Sequence, residues 1–369
     1  MPCAQTHPPS LPRPVRSRWT DSPADCAGRA AATVCNEMDL SIFFAGTAGS
    51  VPSARRGLPA LLIRRGGEKL LFDCGEGTQR QLLKSVGLAD LDAVFITHFH
   101  ADHWLGLPGM LKSLALRDRQ EPLSVHGPRG LGELVASMRL AFGRLPYPLR
   151  LVELDPGEAL RGDGYAIHAI PVEHNGPSSL GYALVEDARP GHLDPTVAEQ
   201  LGVTPGPDFG RLQRGETVGG VTPEQVMGPE REGRKIVISG DTAPSEALKI
   251  AAHQADLLVH EATFSQEEIE RARETQHSTA RQAAELARDA EVRMLAITHI
   301  STRYAGGELL EEAREVFANT EAPRDFDTID VPFPERGGAR LERWADRQAR
   351  ERARAEASQA EAIGSGGRA

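Results

Sequence analysis

Between Thr97 and His103 the chain reads Thr97-His98-Phe99-His100-Ala101-Asp102-His103, three imidazoles and a carboxylate placed directly after the apolar run Ala93-Val94-Phe95-Ile96. Packed this closely and merely buried, such groups would lose hydration and gain no partner, whereas a divalent cation satisfies all their lone pairs at once. The spacing therefore reads as a metal site.

Other apolar runs end on residues of the same kind: Pro171-Val172-Glu173 on His174, Ile238-Ser239-Gly240 on Asp241, Leu258-Val259 on His260 and Ile297-Thr298 on His299. In layered α/β folds the carboxyl ends of strands open on a common crevice, where residues distant in sequence converge. His98, His100, Asp102, His103, His174, Asp241 and His299 together exceed the ligand demand of one tetrahedral ion. Two ions are expected. One would take His98, His100 and His174, the other Asp102, His103 and His299, with the two oxygens of Asp241 bridging them. A hydroxide held between such cations is nucleophilic near neutral pH, because they lower the pKa of water from ~16 toward ~7. Asp102 can orient that water or take its second proton, as ligand and base together.

A departing alkoxide also needs a proton, which the metals do not supply. His277 suits that task at the start of a helix that Ser278 or Thr279 would cap. Glu261, in His260-Glu261-Ala262-Thr263, would fix the His277 tautomer and favour the imidazolium. Cys74 reads as a small buried residue before a turn, and His126, His168 and His253 as structural. Gly46-Thr47-Ala48-Gly49-Ser50 lacks the Gly-Lys-Ser/Thr of a phosphate-binding loop, so it reads as a turn beside the site and no nucleotide cofactor is expected.

Strands must deliver these groups, and short apolar or alternating runs recur from Leu40 to Ala45 through Met294 to Thr298. Helical patterns lie between them, at Thr78 to Val86, Leu131 to Phe142, Ser245 to Gln254 and Ser278 to Ala290, which predicts sheets layered with helices. From about Glu186 to Arg234 the sequence turns rich in Gly and Pro; its sparse apolar residues predict an excursion from the core without a core of its own. Residues 1–37 are rich in Pro, Ser, Arg and Ala and are expected to be a disordered extension, 38–338 a hydrolase domain, and 339–369 a charged tail, an exposed helix or disordered.

The net charge of −10, from 42 basic and 52 acidic residues, argues against a sequence-blind nucleic-acid binder held by long-range attraction. A local basic patch remains open, since Arg55, Arg56, Arg64, Arg65, Lys69, Arg80 and Lys84 crowd one stretch. Cys3, Cys26, Cys35 and Cys74 show neither C-x-x-C spacing nor a disulfide framework, and no run has the length of a membrane helix, so a cytoplasmic protein without membrane contact is expected.

From about Asp39 to Pro334 the chain resembles the bacterial ribonuclease Z family, tRNA 3′-processing endonucleases of the metallo-β-lactamase superfamily. The cluster from His98 to His103 carries only the superfamily likeness. Phe72-Asp73-Cys74-Gly75-Glu76-Gly77-Thr78-Gln79, the His260 to Thr263 segment, His277-Ser278-Thr279, Thr298-His299-Ile300-Ser301-Thr302-Arg303-Tyr304 and the Gly-Pro-bearing arm carry the narrower one. The resemblance implies a four-layered αβ/βα sandwich of α/β class with a protruding flexible arm, a homodimer, and two zinc ions per subunit divided as above. It further implies that the arm of one subunit holds precursor tRNA presented to the other's site, with Asp102 as proton acceptor and His277 as leaving-group acid. Cleavage after the discriminator nucleotide would leave a tRNA 3′-hydroxyl and a trailer 5′-phosphate. The chain departs from the family at Ala54-Arg55-Arg56-Gly57-Leu58, where Arg-Asn is common, and at Trp104, where a smaller aliphatic residue is usual. Two other readings compete: a small-molecule phosphodiesterase, lactonase or thioesterase on the same fold, and a binding protein with a decayed site. The long arm speaks against the first, and the full donor set against the second.

Overall fold

The computed structural model describes residues 39–88, 90–174 and 179–365, with side chains through 356, and the two-residue strand Arg16–Ser17. Apart from that strand, which pairs in parallel with Ala159–Arg161, the expected disordered extension lies outside the described residues.

Two eight-stranded sheets form the centre. One runs, in spatial order, Arg16–Ser17, Ala159–Arg161, Tyr165–Pro171, Leu180–Glu186, Lys235–Ile238, Leu257–Glu261, Leu295–Thr298, Thr320–Glu321. The other runs Arg340–Glu342, Thr328–Asp330, Leu40–Gly46, Ala60–Arg65, Glu68–Phe72, Ala93–Phe95, Leu123–Gly127, Leu149–Glu153. Alternation along each strand explains the layering. Ile42 and Phe44 turn into the core between the sheets, where they join Leu61, Ile63, Tyr165, Ile167, Tyr182 and Val259. Phe43 and Ala45 turn the other way, against Leu82, Met110, Leu114 and Val135 of the outer helices. On the sheet that contains Lys235–Ile238 the outward residues Val237, Leu258 and Ile297 pack against an alanine-rich helical layer including Ala251, Ala283, Ala284 and Ala287. Both faces of each sheet are thus covered, as its nearly continuous apolar strands require. The result is the expected αβ/βα sandwich.

Strand direction then fixes where chemistry can occur. Lys235–Ile238, Leu257–Glu261 and Leu295–Thr298 are mutually parallel, and Tyr165–Pro171 runs the same way because two antiparallel pairings separate it from Lys235–Ile238. Glu68–Phe72 and Ala93–Phe95 are parallel in the other sheet. Their carboxyl ends carry His98, His174, Asp241, Glu261 and His299.

Some expectations need revision. The arm is not coreless: Ala198, Val203, Leu212, Val218, Val221 and Val226 are buried against one another. Short helices Pro195–Gln200, Pro207–Gln213 and Pro223–Val226 build this small core, each opened by a proline whose missing N–H costs nothing at the first turn. A few valines suffice there because the enclosed volume is small. The sheet also continues past residue 338, since Arg340–Glu342 pairs with Thr328–Asp330. Beyond it Trp344–Ser365 is helical, with Arg347 resting over the Trp344 ring. The expected helix at Leu131 to Phe142 is divided at Met138.

Candidate metal centre

All seven donors anticipated from sequence meet at one end of the sandwich. Ligand atoms of His98, His100, His174 and Asp241 lie within 4.8 Å of one another, and so do those of Asp102, His103 and His299. One oxygen of Asp241 sits between the sets, 3.2 Å from His103 Nε2, 3.3 Å from His299 Nε2, 3.7 Å from His98 Nε2 and 3.9 Å from His174 Nε2. Asp102 Oδ2 lies 3.4 Å from His299 Nε2 and 3.5 Å from His103 Nε2. His100 is the exposed member, which marks the open side.

Outer contacts set the tautomers. His103 Nδ1 meets Asp73 Oδ2 at 2.7 Å and His174 Nδ1 meets the Gln276 carbonyl at 2.8 Å, so both rings donate from Nδ1. The Thr97 hydroxyl, which donates to Asp73, accepts from His98 Nδ1 at 3.1 Å. The Thr263 hydroxyl donates to Glu261 Oε2 at 2.7 Å and accepts from His299 Nδ1 at 2.8 Å. Each Nε2 is thereby left as a lone pair aimed inward. Nε2 of His98, His103 and His299 is buried and has no hydrogen-bond partner, an arrangement that costs stability unless a cation fills it. The donor set of imidazoles with carboxylates fits zinc, and the residues present fit two ions.

Backbone strain gathers at the same place. Asp73 (φ 57°), Ser50 (φ 60°) and His299 (φ 57°) all adopt the left-handed conformation that side chains disfavour. Gly75 allows close approach, since a Cβ there would lie 2.4 Å from the Asp102 carbonyl oxygen.

Burial favours the neutral acid at Asp241, but the His103 and His299 imidazoles against it outweigh that and hold the carboxyl well below its ordinary range. Asp102 is likewise held low against burial, by the His299 and His103 imidazoles beside its Oδ2. Burial keeps His98 neutral, as a ligand must be.

His277 borders this assembly. Its Nδ1 lies 2.8 Å from Glu261 Oε1 and 4.0 Å from Asp241 Oδ2. Burial alone would lower its pKa, yet the Glu261 charge and hydrogen bond raise it to about 9. Glu261 also accepts the amides of Thr242 and Ser278 at 3.0 and 3.1 Å, so its own position is fixed. Thr279, with Gln282, caps the helix that follows. Asp241, His277 and His299 form a further set of mutually close donors, so proximity alone does not separate acid from ligand at His277.

Sequence reasoning missed the outer partners Asp73, Thr97 and Thr263. Asp73 follows the end of Glu68–Phe72, so the strand-end criterion that found His174 would have found it too. His260, by contrast, lies within its strand, bonds Glu261 O through Nδ1 at 2.7 Å and joins none of the donor groups. Cys74 is buried, its thiol pushed up to about 12 by burial, and does not join them either. The basic stretch from Arg55 to Lys84 is split: Arg55, Arg56, Arg80 and Lys84 line a cavity of about 360 Å³, while Arg65 is buried against Glu186 and Arg64 opens on a separate cavity.

The metallo-β-lactamase superfamily profile matches residues 57–299, which defines the class of protein. Ribonuclease Z of Methanosarcina acetivorans is 44% identical over 302 residues, 80% of this chain and 99% of that relative. Ribonuclease Z of Haloferax volcanii is 46% identical over 315 residues, 83% and 99% of the two chains, and that of Myxococcus xanthus 46% over 303 residues, 80% and 98%. The crystal structure of human tRNase Z, short form, superposes with a TM-score of 0.58 at 27% identity, over 79% of this chain and 100% of that one. The chain belongs to the ribonuclease Z family.

Proposed function

We propose that the protein is a zinc-dependent endoribonuclease that removes 3′ trailers from precursor tRNA, leaving a tRNA 3′-hydroxyl and a trailer 5′-phosphate. The observation that carries this reading is an intact two-set donor centre around Asp241 in a chain that matches ribonuclease Z relatives along their whole length. Zinc on these donors would supply ionised water near neutral pH and neutralise charge on the phosphoryl oxygens.

The protein's own groups provide the rest. Asp102, fixed at Oδ2 by the Ser50 amide at 2.9 Å, takes the proton of the attacking water. His277, charged below pH ~9 with Nδ1 tied to Glu261, gives a proton from Nε2 to the departing 3′-oxygen. The arm, 186–234, holds the tRNA body as an exosite, in a homodimer where one subunit's arm serves the other's centre. Among the described residues no helix is long and apolar enough to cross a membrane, and a cytoplasmic place of action suits the substrate.

The test is incubation with a trailer-bearing precursor tRNA, with and without chelator, followed by mapping of both new ends. A chelator-sensitive cut after the discriminator supports the reading; a cut that persists after exhaustive metal removal, or none in the zinc-loaded protein, overturns it.

A further inference from the structure

The segment from Thr47 to Gly57 touches the metal centre at two points. Gly49 lies so close to His299 that a Cβ there would stand 2.6 Å from Nδ1, and Ser50, in its strained left-handed conformation, gives its amide to Asp102 Oδ2 at 2.9 Å. The Ala48–Gly49 part of the segment pairs in parallel with Ile300–Ser301, next to His299, and its two stems are held by a carboxylate from near the other end of the chain. Asp325 Oδ1 accepts the Thr47 hydroxyl at 2.7 Å, and Oδ2 accepts the Gly57 amide and Gln81 Nε2, each at 2.6 Å. Thr47 in turn accepts from Arg56 Nη1 at 2.6 Å, and the Arg56 guanidinium reaches the Pro323 carbonyl at 3.2 Å. Both stems of the loop are therefore tied to one buried carboxylate, and the Ala48 amide closes them by donating to Gly57 O at 2.9 Å. Asp325 itself belongs to none of the donor groups.

We propose that Asp325 is a positioning residue for the Asp102 half of the metal centre: it clamps the 47–57 loop so that the Ser50 amide aims Asp102 and Gly49 backs His299. The two halves differ in this respect. His98 and His174 are oriented through Thr97 and the Gln276 carbonyl, both outside the loop. Loss of the clamp should therefore weaken one cation and spare the other, a selectivity that a general loss of stability would not produce. This rests on the metal-centre reading above.

The experiment titrates Zn²⁺ into metal-free, full-length protein against a chromophoric chelator, for wild type, Asp325→Asn and Thr47→Val. An amide at 325 keeps one acceptor oxygen and loses the other, and valine at 47 deletes only the hydroxyl. In both variants one binding step should match wild type and the other weaken by about 10- to 100-fold, as loss of outer-sphere support does, with excess Zn²⁺ restoring turnover of a small phosphodiester. Asp256→Ala, which removes the acceptor of the Lys235 amide, is the control expected to lower the melting temperature without changing either step. Two unchanged steps, or two equally weakened, would overturn the proposal. Should Asp325→Asn fail to fold, Thr47→Val decides alone. A wild-type protein that binds no zinc would instead sink the metal-centre reading, and this proposal with it.

Discussion

At the scale of single residues, His277 offers the sharpest separation of roles, because it stands beside the donors yet is held by Glu261. His277→Ala is expected to slow cleavage of precursor tRNA by about 10² to 10⁴, the range for loss of a general acid, with two zinc ions retained on elemental analysis. Loss of an ion would make it a ligand. Glu261→Gln removes the charge that raises His277, so the alkaline limb of kcat should move to lower pH, since the imidazolium form then gives way earlier. A limb unmoved in that variant would assign the fall in rate to another group. The convergence of these seven side chains was legible from sequence because strand ends restrict where such residues can meet. Their outer partners were not, since a threonine that accepts from an imidazole looks like any strand threonine until the two are brought together across the fold.

At the scale of elements, the arm was legible as an excursion but not as a folded unit, because six small apolar residues scattered between turns give no period. Its geometry now defines a clean excision. Leu193 bridges Met227 and the Asp194 amide donates to the Val226 carbonyl, so a short Gly-Ser link can replace 194–226 and leave the stems paired. That variant should raise KM for precursor tRNA by roughly 10- to 100-fold, about 1.4–2.7 kcal/mol, while sparing a small phosphodiester. Equal loss on both substrates would remove the exosite assignment. Within the arm Arg211 and Arg214 are paired with Glu216, so phosphates must compete for them. Glu216→Gln should therefore tighten tRNA binding and steepen its salt dependence; an unchanged slope would place the grip elsewhere.

At the scale of the whole molecule, the arm and both sheets meet at one buried carboxylate. Glu186 ends Leu180–Glu186 where the arm departs; its Oε1 accepts from Arg65 Nε at 2.8 Å, on the opposite sheet, and its Oε2 from Arg234 Nε at 2.7 Å, where the arm returns. Burial would raise the pKa of Glu186, but the hydrogen bond and charge of Arg234, with those of Arg65, outweigh it and hold the carboxyl below its ordinary value. Neutralising it would remove the buried carboxylate that Arg65 and Arg234 share, so Glu186→Gln should cost about 3–5 kcal/mol in chemical denaturation near neutral pH. The sign with pH follows from the depressed value: the contribution is complete above the unfolded carboxylate pKa of ~4.3 and is lost only as pH falls through the folded one. The gap between wild type and variant should therefore stay constant from pH 8 to about pH 5 and close in stronger acid. A gap that widened in acid would mean that the Glu186 carboxyl is neutral in the native protein and that the sheets and arm are joined by some other contact.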